Sequence, residues 1–186
     1  MKKLLLAVLV LSSSIFASTY KLDAAHSKVT FKVKHMAISN VYGTFGKYDA
    51  SINYDEKSKK LTKLDANIDV ASIDTQNAKR DGHLKSDDFF AVKKFPKIDF
   101  KLISTNADEA IGELTIKGIT KNVTFDFENN GIVKDPWGNI KLGLSLETKI
   151  SRKEFGLTWN KLLETGSLVV GDKITITVDV EAKKID

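Results

Sequence analysis

The chain has no cysteine among its 186 residues. That absence excludes a disulfide, a thiol nucleophile and a lipid-modified N-terminal cysteine. Histidine is nearly as scarce, because only His26, His35 and His83 are present and none belongs to an HExxH zinc motif. There is also no GxSxG sequence of the kind that presents a hydrolase serine. These absences predict a protein that is not an enzyme and that holds no metal and no cofactor.

A long apolar run is missing as well. The apolar run from Leu4 to Leu11 is too short to span a bilayer. It follows two lysines and precedes the small residue Ala17, a pattern typical of a secretory signal peptide. We therefore predict a signal peptide at residues 1–17 and one domain at residues 18–186, with no transmembrane anchor. The expected location is the periplasm or the outside of a bacterial cell.

The chain also lacks a block of like charge. Its formal net charge of +5 is spread along the sequence, which argues against nucleic acid as a partner.

Alternation of apolar and polar residues dominates residues 18–186. Seven runs have the period of two that is typical of a strand with one buried face. They contain Phe31, Ile68, Phe100, Leu114, Phe125, Leu144 and Ile176, and an eighth strand is expected between Tyr42 and Tyr54. Turn-forming residues at 55–60, 117–121, 129–131 and 135–139 predict antiparallel hairpins. The many lysines of the polar faces indicate that the apolar faces point inward.

Eight antiparallel strands with one apolar face predict an all-β fold, either a two-sheet sandwich or a closed barrel. A barrel of this size has a solid interior or holds one small ligand, as lipocalins do. Two long gaps between strands, at 72–96 and 151–171, are expected to carry one or two short helices. In the first gap, Thr75 is expected to cap a helix from Gln76 to Lys85.

The first gap contains the polar sequence SIDTQNAKRDGHLKSDDFF at 72–90. A metal site formed by its aspartates and His83 is one interpretation, and a self-paired polar helix is the favoured one.

Aromatic residues and glycines on the strands leave two interpretations of the interior. Phe31, Tyr42 and Tyr48 recur on inward-facing positions, as do Phe100 and Phe125. They fill a solid core or line an apolar cavity. The glycines Gly43, Gly46, Gly112 and Gly143 favour the cavity, since glycine in a strand often marks the close approach of a ligand. Trp159 is expected to plug one barrel end.

The sequence resembles the YceI family over most of residues 18–186. The blocks that carry the resemblance are DAAHSKVTFKVKHMAISNVYGTFGKYDASI at 23–52, DVASIDTQNAKRDGHLKSDDFFAVKKFPKIDFKLIST at 69–105, GELTIKGITKNVTF at 112–125, SRKEFGLTWN at 151–160 and VGDKITITVDVEA at 170–182. The resemblance implies an eight-stranded antiparallel lipocalin-like barrel with one or two short helices across the long loops. It also implies an exported binding protein that holds a long-chain lipid in an apolar tunnel.

The ligand implied by the resemblance is a polyisoprenoid, a quinone tail or a fatty amide. Its tail is expected against Phe31, Val33, Tyr48, Ile68, Phe100, Leu102, Leu114, Ile116, Phe125, Leu144, Ile176 and Val178. Its head group, or the mouth of the barrel, is expected at Arg80, His83, Asp87, Phe89 and Arg152.

Two alternatives stay open. One is an enzyme that acts on an isoprenoid in the same cavity, with Asp81 and His83 as acid and base. The other is a solid barrel that binds a protein partner. A homodimer is open as well.

Overall fold

The computed structural model describes residues 17–164, 166 and 168–185. Its strands are β1 (Ser18–Leu22), β2 (Lys28–His35), β3 (Ser39–Phe45), β4 (Tyr48–Asp55), β5 (Lys60–Asp69), β6 (Ile73–Asp74), β7 (Lys97–Thr105), β8 (Glu109–Ile116), β9 (Ile119–Lys134), β10 (Ile140–Ser151) and β11 (Val170–Lys184). One α-helix, α1 (Ala78–Lys85), lies between β6 and β7. Short 3-10 helices cover Val70–Ser72 and Arg152–Phe155. The predicted signal peptide lies outside the described residues except for Ala17.

Eight of the strands form a closed antiparallel ring in the order β1, β4, β5, β7, β8, β9, β10, β11 and back to β1. The predicted eight-stranded barrel is therefore confirmed. Strand β11 pairs with β1 through its last residues and with β2 through its earlier ones. Strands β2, β3 and β6 thus continue the barrel wall beyond the end of β1. No helix in the described part of the chain is long and apolar enough to cross a membrane.

The two ends of the barrel differ. The closed end contains β1 and the β9–β10 turn at 135–139. Its interior is solid, with fully buried Tyr20, Ile52, Tyr54, Leu142 and Leu144. The opposite end, here called the mouth, carries α1, the β2–β3 turn at 36–38 and the loop that precedes β11.

Three predictions about the strands need correction. The segment from Tyr42 to Tyr54 forms two strands, because the chain leaves the sheet at Gly46 and Lys47. Tyr42 points outward and is 64% exposed, because it pairs with Lys32 on the polar face of β2. The residues at 129–131 form no turn. Strand β9 continues through them, and a register shift opposite Gly143 and Leu144 accommodates the extra residue there.

The predicted start of the helix is also wrong. Helix α1 begins at Ala78, and its N-cap is Asn77, whose side chain accepts a hydrogen bond from the Arg80 main-chain N–H at 3.0 Å. Thr75 is buried two residues earlier and has a different role, which belongs to the mouth of the barrel. In the described part of the second long gap, the one helical segment is the 3-10 helix at Arg152–Phe155, which ends at Gly156 in the left-handed conformation.

Candidate functional site

An apolar cavity of about 140 Å³ lies inside the mouth half of the barrel. Residues of β2, β8 and β11 form half of its wall, and Leu84, Phe89 and Phe90 cover it from the α1 region. Among the described residues of its wall, Arg152 is the only charged one and Thr30 is the only other polar one. A cavity of this composition favours an apolar occupant, because it offers almost no partner to water.

Two further spaces continue this cavity in both directions. A smaller one of about 70 Å³ lies deeper and shares Val29, Ile68 and Val178 with the apolar cavity. A groove of about 420 Å³, here called the mouth groove, lies outside it and shares Phe31 and Phe89 with the apolar cavity. The three spaces therefore form a series from the surface toward the barrel centre, in which neighbouring spaces share lining residues.

The mouth groove has a basic and aromatic wall. Its charged or titratable residues are Lys34, His35, Lys79, Arg80 and His83, and its wall contains no carboxylate among the described residues. A groove with this lining can accept an anionic or polar group, while the apolar cavity below it can accept only an apolar one.

Arg152 lies between the 3-10 helix and the loop that precedes β11, and only 2% of it is exposed. Its guanidinium donates hydrogen bonds to the main-chain carbonyls of Gly171 at 2.9 Å, Trp159 at 2.9 Å, Val170 at 3.4 Å and Leu157. Burial lowers the pKa of Arg152, and the nearby Asp172 carboxylate acts in the opposite direction. Because carbonyls occupy the guanidinium, Arg152 holds the wall of the mouth together.

Arg80 has a similar fastening role on α1. Its Nε donates to Thr75 Oγ1 at 2.7 Å, and its Nη2 donates to the Thr75 carbonyl at 2.7 Å. Asp81 completes this network by accepting from the Thr75 hydroxyl at 2.6 Å and from the Thr75 N–H at 3.0 Å. Thr75 therefore ties α1 to β6, while Arg80 still forms part of the wall of the mouth groove.

His83 packs against two aromatic rings at the mouth, and these rings also contact each other. Its ring makes edge contacts with Phe89 at 5.0 Å and with Trp159 at 4.7 Å between centroids. Its Nε2 is 3.1 Å from the Asp88 carboxylate. Trp159 thus lies in the mouth groove, as the prediction of a plug at one barrel end requires.

Asp87 lies apart from the other predicted head-group residues. It is exposed, its carboxylate is 3.8 Å from Lys94 Nζ, and it lines neither the mouth groove nor the apolar cavity. Among the residues predicted for the head group, the structure brings Arg80, His83 and Phe89 together at the groove. Arg152 and Phe89 belong to the wall of the apolar cavity.

Most of the residues predicted for the lipid tail line the interior spaces. Those in the wall of the apolar cavity are Phe31, Val33, Ile68, Leu114, Ile116, Ile176 and Val178. Those in the wall of the smaller cavity are Tyr48, Ile68, Phe100, Phe125 and Val178. Leu102 and Leu144 line neither of these two cavities, because Leu144 belongs to the fully buried core and Leu102 packs against that core.

Sequence reasoning missed several wall residues. They are Phe45, Leu84, Ile150, Phe155, Leu157 and Val170. Leu84 was detectable in principle, since it is the only large apolar residue in the polar sequence AKRDGHLK of α1. Phe155 and Leu157 follow the end of β10, where no periodicity indicates which side chains turn inward.

Two strand glycines receive phenylalanine rings. A Cβ atom at Gly43 would lie 2.3 Å from the Phe31 ring, and one at Gly112 would lie 2.3 Å from the Phe100 ring. Each ring therefore occupies the space that a side chain on the neighbouring strand would need. We predicted that these glycines mark the close approach of a ligand, but at Gly43 and Gly112 the space is taken by phenylalanine rings of the protein itself.

The aspartates of α1 and the following loop gather no metal-ligand cluster. In the described part of the chain, the one group of three potential ligands whose atoms lie within 4.8 Å of each other is Asp23, His26 and Glu181 at the closed end. The Lys141 ammonium already contacts two of them, Asp23 at 2.7 Å and Glu181 at 2.9 Å. An ammonium between the carboxylates satisfies this cluster as an ion-pair network.

Comparison of the sequence with known proteins agrees with the barrel that the structure shows. The family model for the YceI-like domain matches residues 20–182. The chain belongs to the YceI family. A relative in Staphylococcus aureus, UPF0312 protein SAB2563, is 38% identical to this YceI protein over 165 residues, which is 88% of this chain and 96% of the relative.

Two solved structures extend the likeness to the fold. The YCEI protein of Campylobacter jejuni is 39% identical, with a TM-score of 0.70 over 90% of this chain and 98% of that one. A domain from Saccharophagus degradans, described as polyisoprenoid-binding and implicated in plant cell wall breakdown, has a TM-score of 0.66 at 12% identity over 89% of this chain and 98% of that one. Because only 12% of residues are identical, the similarity to the Saccharophagus degradans domain shows only that this YceI protein has the same fold.

Proposed function

We propose that this protein is a binding or carrier protein for a long-chain amphiphile such as a polyisoprenoid, a quinone or a fatty amide. The apolar tail lies in the barrel and the polar head lies in the mouth groove. The observation that carries this proposal is the series of spaces that begins with a basic groove and continues into an apolar cavity. The description of one domain of this fold as polyisoprenoid-binding supports the same class of ligand.

The physical driving force is the removal of the tail from water. Each buried methylene contributes about 0.8 kcal/mol, so an apolar wall alone holds a long tail firmly without directional contacts. The head group then needs only a polar environment at the surface, which Lys79, Arg80 and His83 supply. Release follows when the head group finds another binding surface.

The volume of the cavity sets a condition on binding. About 140 Å³ is close to the size of an engineered cavity that binds benzene. A long chain therefore enters only when side chains between the three spaces change rotamer. Phe31 and Phe89 separate the mouth groove from the apolar cavity, while Val178 and Ile68 separate the apolar cavity from the deeper one.

The enzyme alternative has less support from the geometry. Asp81 accepts two hydrogen bonds from Thr75, whereas His83 pairs with Asp88. The proposed acid and base thus have separate partners and no contact with each other. The basic mouth groove and apolar interior favour a binding protein.

The proposal includes export through the predicted signal peptide at residues 1–17. Native mass spectrometry of protein purified from its own cells tests both parts. We expect a mass that starts at Ser18 and an additional mass from a bound lipid, which solvent extraction then releases for identification. An apoprotein mass with an empty solvent extract would contradict the binding function, and a mass that includes residue 1 would contradict cleavage.

Sedimentation equilibrium on the same sample decides between monomer and homodimer.

A further inference from the structure

The rim of the mouth exposes large apolar side chains on two adjoining loops. Ile38 in the β2–β3 turn is 81% exposed, and Leu162 and Leu168 in the loop before β11 are 72% and 40% exposed. The two loops contact each other, since the Met36 N–H donates to the Val169 carbonyl at 2.8 Å. Leu162 and Leu168 face each other across an isolated β-bridge. The exposed side chains therefore belong to one continuous edge of the mouth.

The β2–β3 turn presents its apolar residues in an unfavourable backbone conformation. Met36 has a φ of 51° and Ala37 has a φ of 62°. Hairpin turns with positive φ at successive residues strongly prefer asparagine and glycine. The sequence Met-Ala-Ile is thus poor for turn stability and also exposes Ile38 to water. Stability of the fold does not explain why apolar residues occupy this turn. Burial of the turn against an apolar environment does explain it.

Basic side chains lie behind this apolar edge. Lys34 and Lys79 are exposed and line the mouth groove together with Arg80. Lys161 adjoins Leu162, and Glu164 is the acidic residue of the same loop. An apolar edge backed by lysine and arginine complements a surface with anionic groups above an apolar layer.

From these observations we propose that the mouth docks on an anionic lipid bilayer. Ile38, Leu162 and Leu168 enter the boundary between head groups and acyl chains, and the basic side chains contact lipid phosphates. This proposal rests on the proposed function, because docking brings the mouth groove against the membrane. A lipid tail then moves between bilayer and cavity without crossing water.

Sedimentation with vesicles tests the docking surface. One set of vesicles contains phosphatidylethanolamine with phosphatidylglycerol, and the other contains phosphatidylcholine alone. We expect the wild-type protein to sediment with the anionic vesicles, and added salt to weaken this binding. The double variant Ile38→Asp with Leu162→Asp is expected to lose about tenfold or more in partitioning, because two apolar contacts are replaced by charges that the phosphates repel.

Trp137→Asp provides the matched control. Trp137 is 83% exposed in the turn at the closed end, so its replacement removes an equally exposed apolar residue from the opposite side of the barrel. This variant is expected to sediment like wild type. Equal sedimentation of wild type and the double variant would overturn the proposal, as would absence of wild type from both vesicle sets. A loss confined to Trp137→Asp would assign docking to the closed end and overturn it too.

Native mass spectrometry separates this proposal from the proposed function. If wild type carries lipid but ignores both vesicle sets, docking is wrong and the binding function stands. If wild type sediments through Ile38 and Leu162 but carries no lipid, docking stands and the binding function is wrong.

Discussion

Arg152 shows how a single buried charge can organise a barrel mouth. It sits beside an apolar cavity, yet its guanidinium is occupied by main-chain carbonyls from residues 157–171. Without the guanidinium, the carbonyl of buried Leu157 would lose its donor, and an unpaired buried acceptor costs about 1–3 kcal/mol. The arginine therefore acts as a fixed point around which the loop folds.

Replacement of Arg152 by methionine tests that role. The methionine keeps much of the side-chain volume but removes every donor, so we expect the free energy of unfolding to fall by about 3 kcal/mol. Urea denaturation monitored by circular dichroism measures it. The control is Lys153→Met at the exposed neighbouring position, which is expected to change it by less than about 0.5 kcal/mol. Equal stability of Arg152→Met and wild type would contradict the role.

Gly43 is a second residue whose identity affects the cavity. Because a Cβ atom there would lie 2.3 Å from the Phe31 ring, Gly43→Ala is expected to push that ring toward the barrel centre. We expect a loss of about 1–3 kcal/mol of stability by overpacking, together with a lower fraction of lipid-bound protein in native mass spectra.

Gly82→Ala is the control for Gly43→Ala. Gly82 lies in α1, and a Cβ atom there meets nothing within 4 Å. This variant is expected to gain up to about 1 kcal/mol from helix propensity and to bind as much lipid as wild type. The explanation for Gly43 would fail if both alanine variants bound lipid equally well.

At the scale of elements, an ion-pair network connects neighbouring strands at the closed end. Lys141 on β10 contacts Glu181 on β11 and Asp23, which follows β1. The hydrogen bond from Lys141, helped by one from His26, holds the pKa of Asp23 well below its ordinary value of 3.8. A depressed carboxyl pKa stabilises the fold above the unfolded-state value, and this contribution is lost as the pH falls through the folded-state value.

Lys141→Met is therefore expected to show a pH-dependent loss of stability. At neutral pH the variant should be less stable than wild type by about 1 kcal/mol, a modest value because the ion pair is partly solvated. The difference should shrink below about pH 4, where the unfolded chain begins to bind a proton at Asp23 while the folded wild type still keeps this carboxylate charged. Urea denaturation at several pH values measures it.

Lys63→Met is the control for this experiment. Lys63 and Asp65 form a more exposed pair at 3.5 Å on β5. We expect no comparable change of the stability difference with pH. A difference for Lys141→Met that stays constant from neutral to acid pH would refute the assigned ion pair.

The elements also show how far the sequence alone can predict the fold. Period-two alternation identifies β2, β7, β8 and β11 because one face of each strand is apolar. It misses β1 and the two-residue β6. It also misreads residues 129–131, because asparagine and glycine occur in bulges as well as in turns. Thr75 was expected to cap a helix, but its partners Arg80 and Asp81 hold it beside α1 instead.

Residues of the candidate site could be predicted only on strands, where the alternation of side chains determines which of them point into the barrel. Phe31 and Ile176 were expected inside because they lie on the apolar face of a strand. The role of Arg152 was not predictable, since its partners are main-chain carbonyls that no side-chain pattern specifies. Phe155 and Leu157 were missed for a related reason, because they lie in irregular structure whose side-chain directions depend on the tertiary fold.

On the scale of the whole molecule, the barrel is divided into two halves with different tasks. The closed half is packed by residues such as Tyr20 and Leu142 and supplies stability. The mouth half contains the cavities, the basic groove and the exposed apolar rim. This division predicts a pocket that opens at one end, whereas the resemblance alone suggested a tunnel.

Val178 provides the most direct test of the claim that a lipid tail lies in the barrel, since it lines both interior cavities. Val178→Phe would fill the space between them, and Ile103→Phe at a 54% exposed position on β7 is the control. Circular dichroism first establishes that both variants are folded. Native mass spectrometry then measures lipid bound to each protein after purification from the same cells. The account predicts lipid on wild type and on Ile103→Phe, and little or none on Val178→Phe. Equal lipid on folded Val178→Phe and wild type would contradict it.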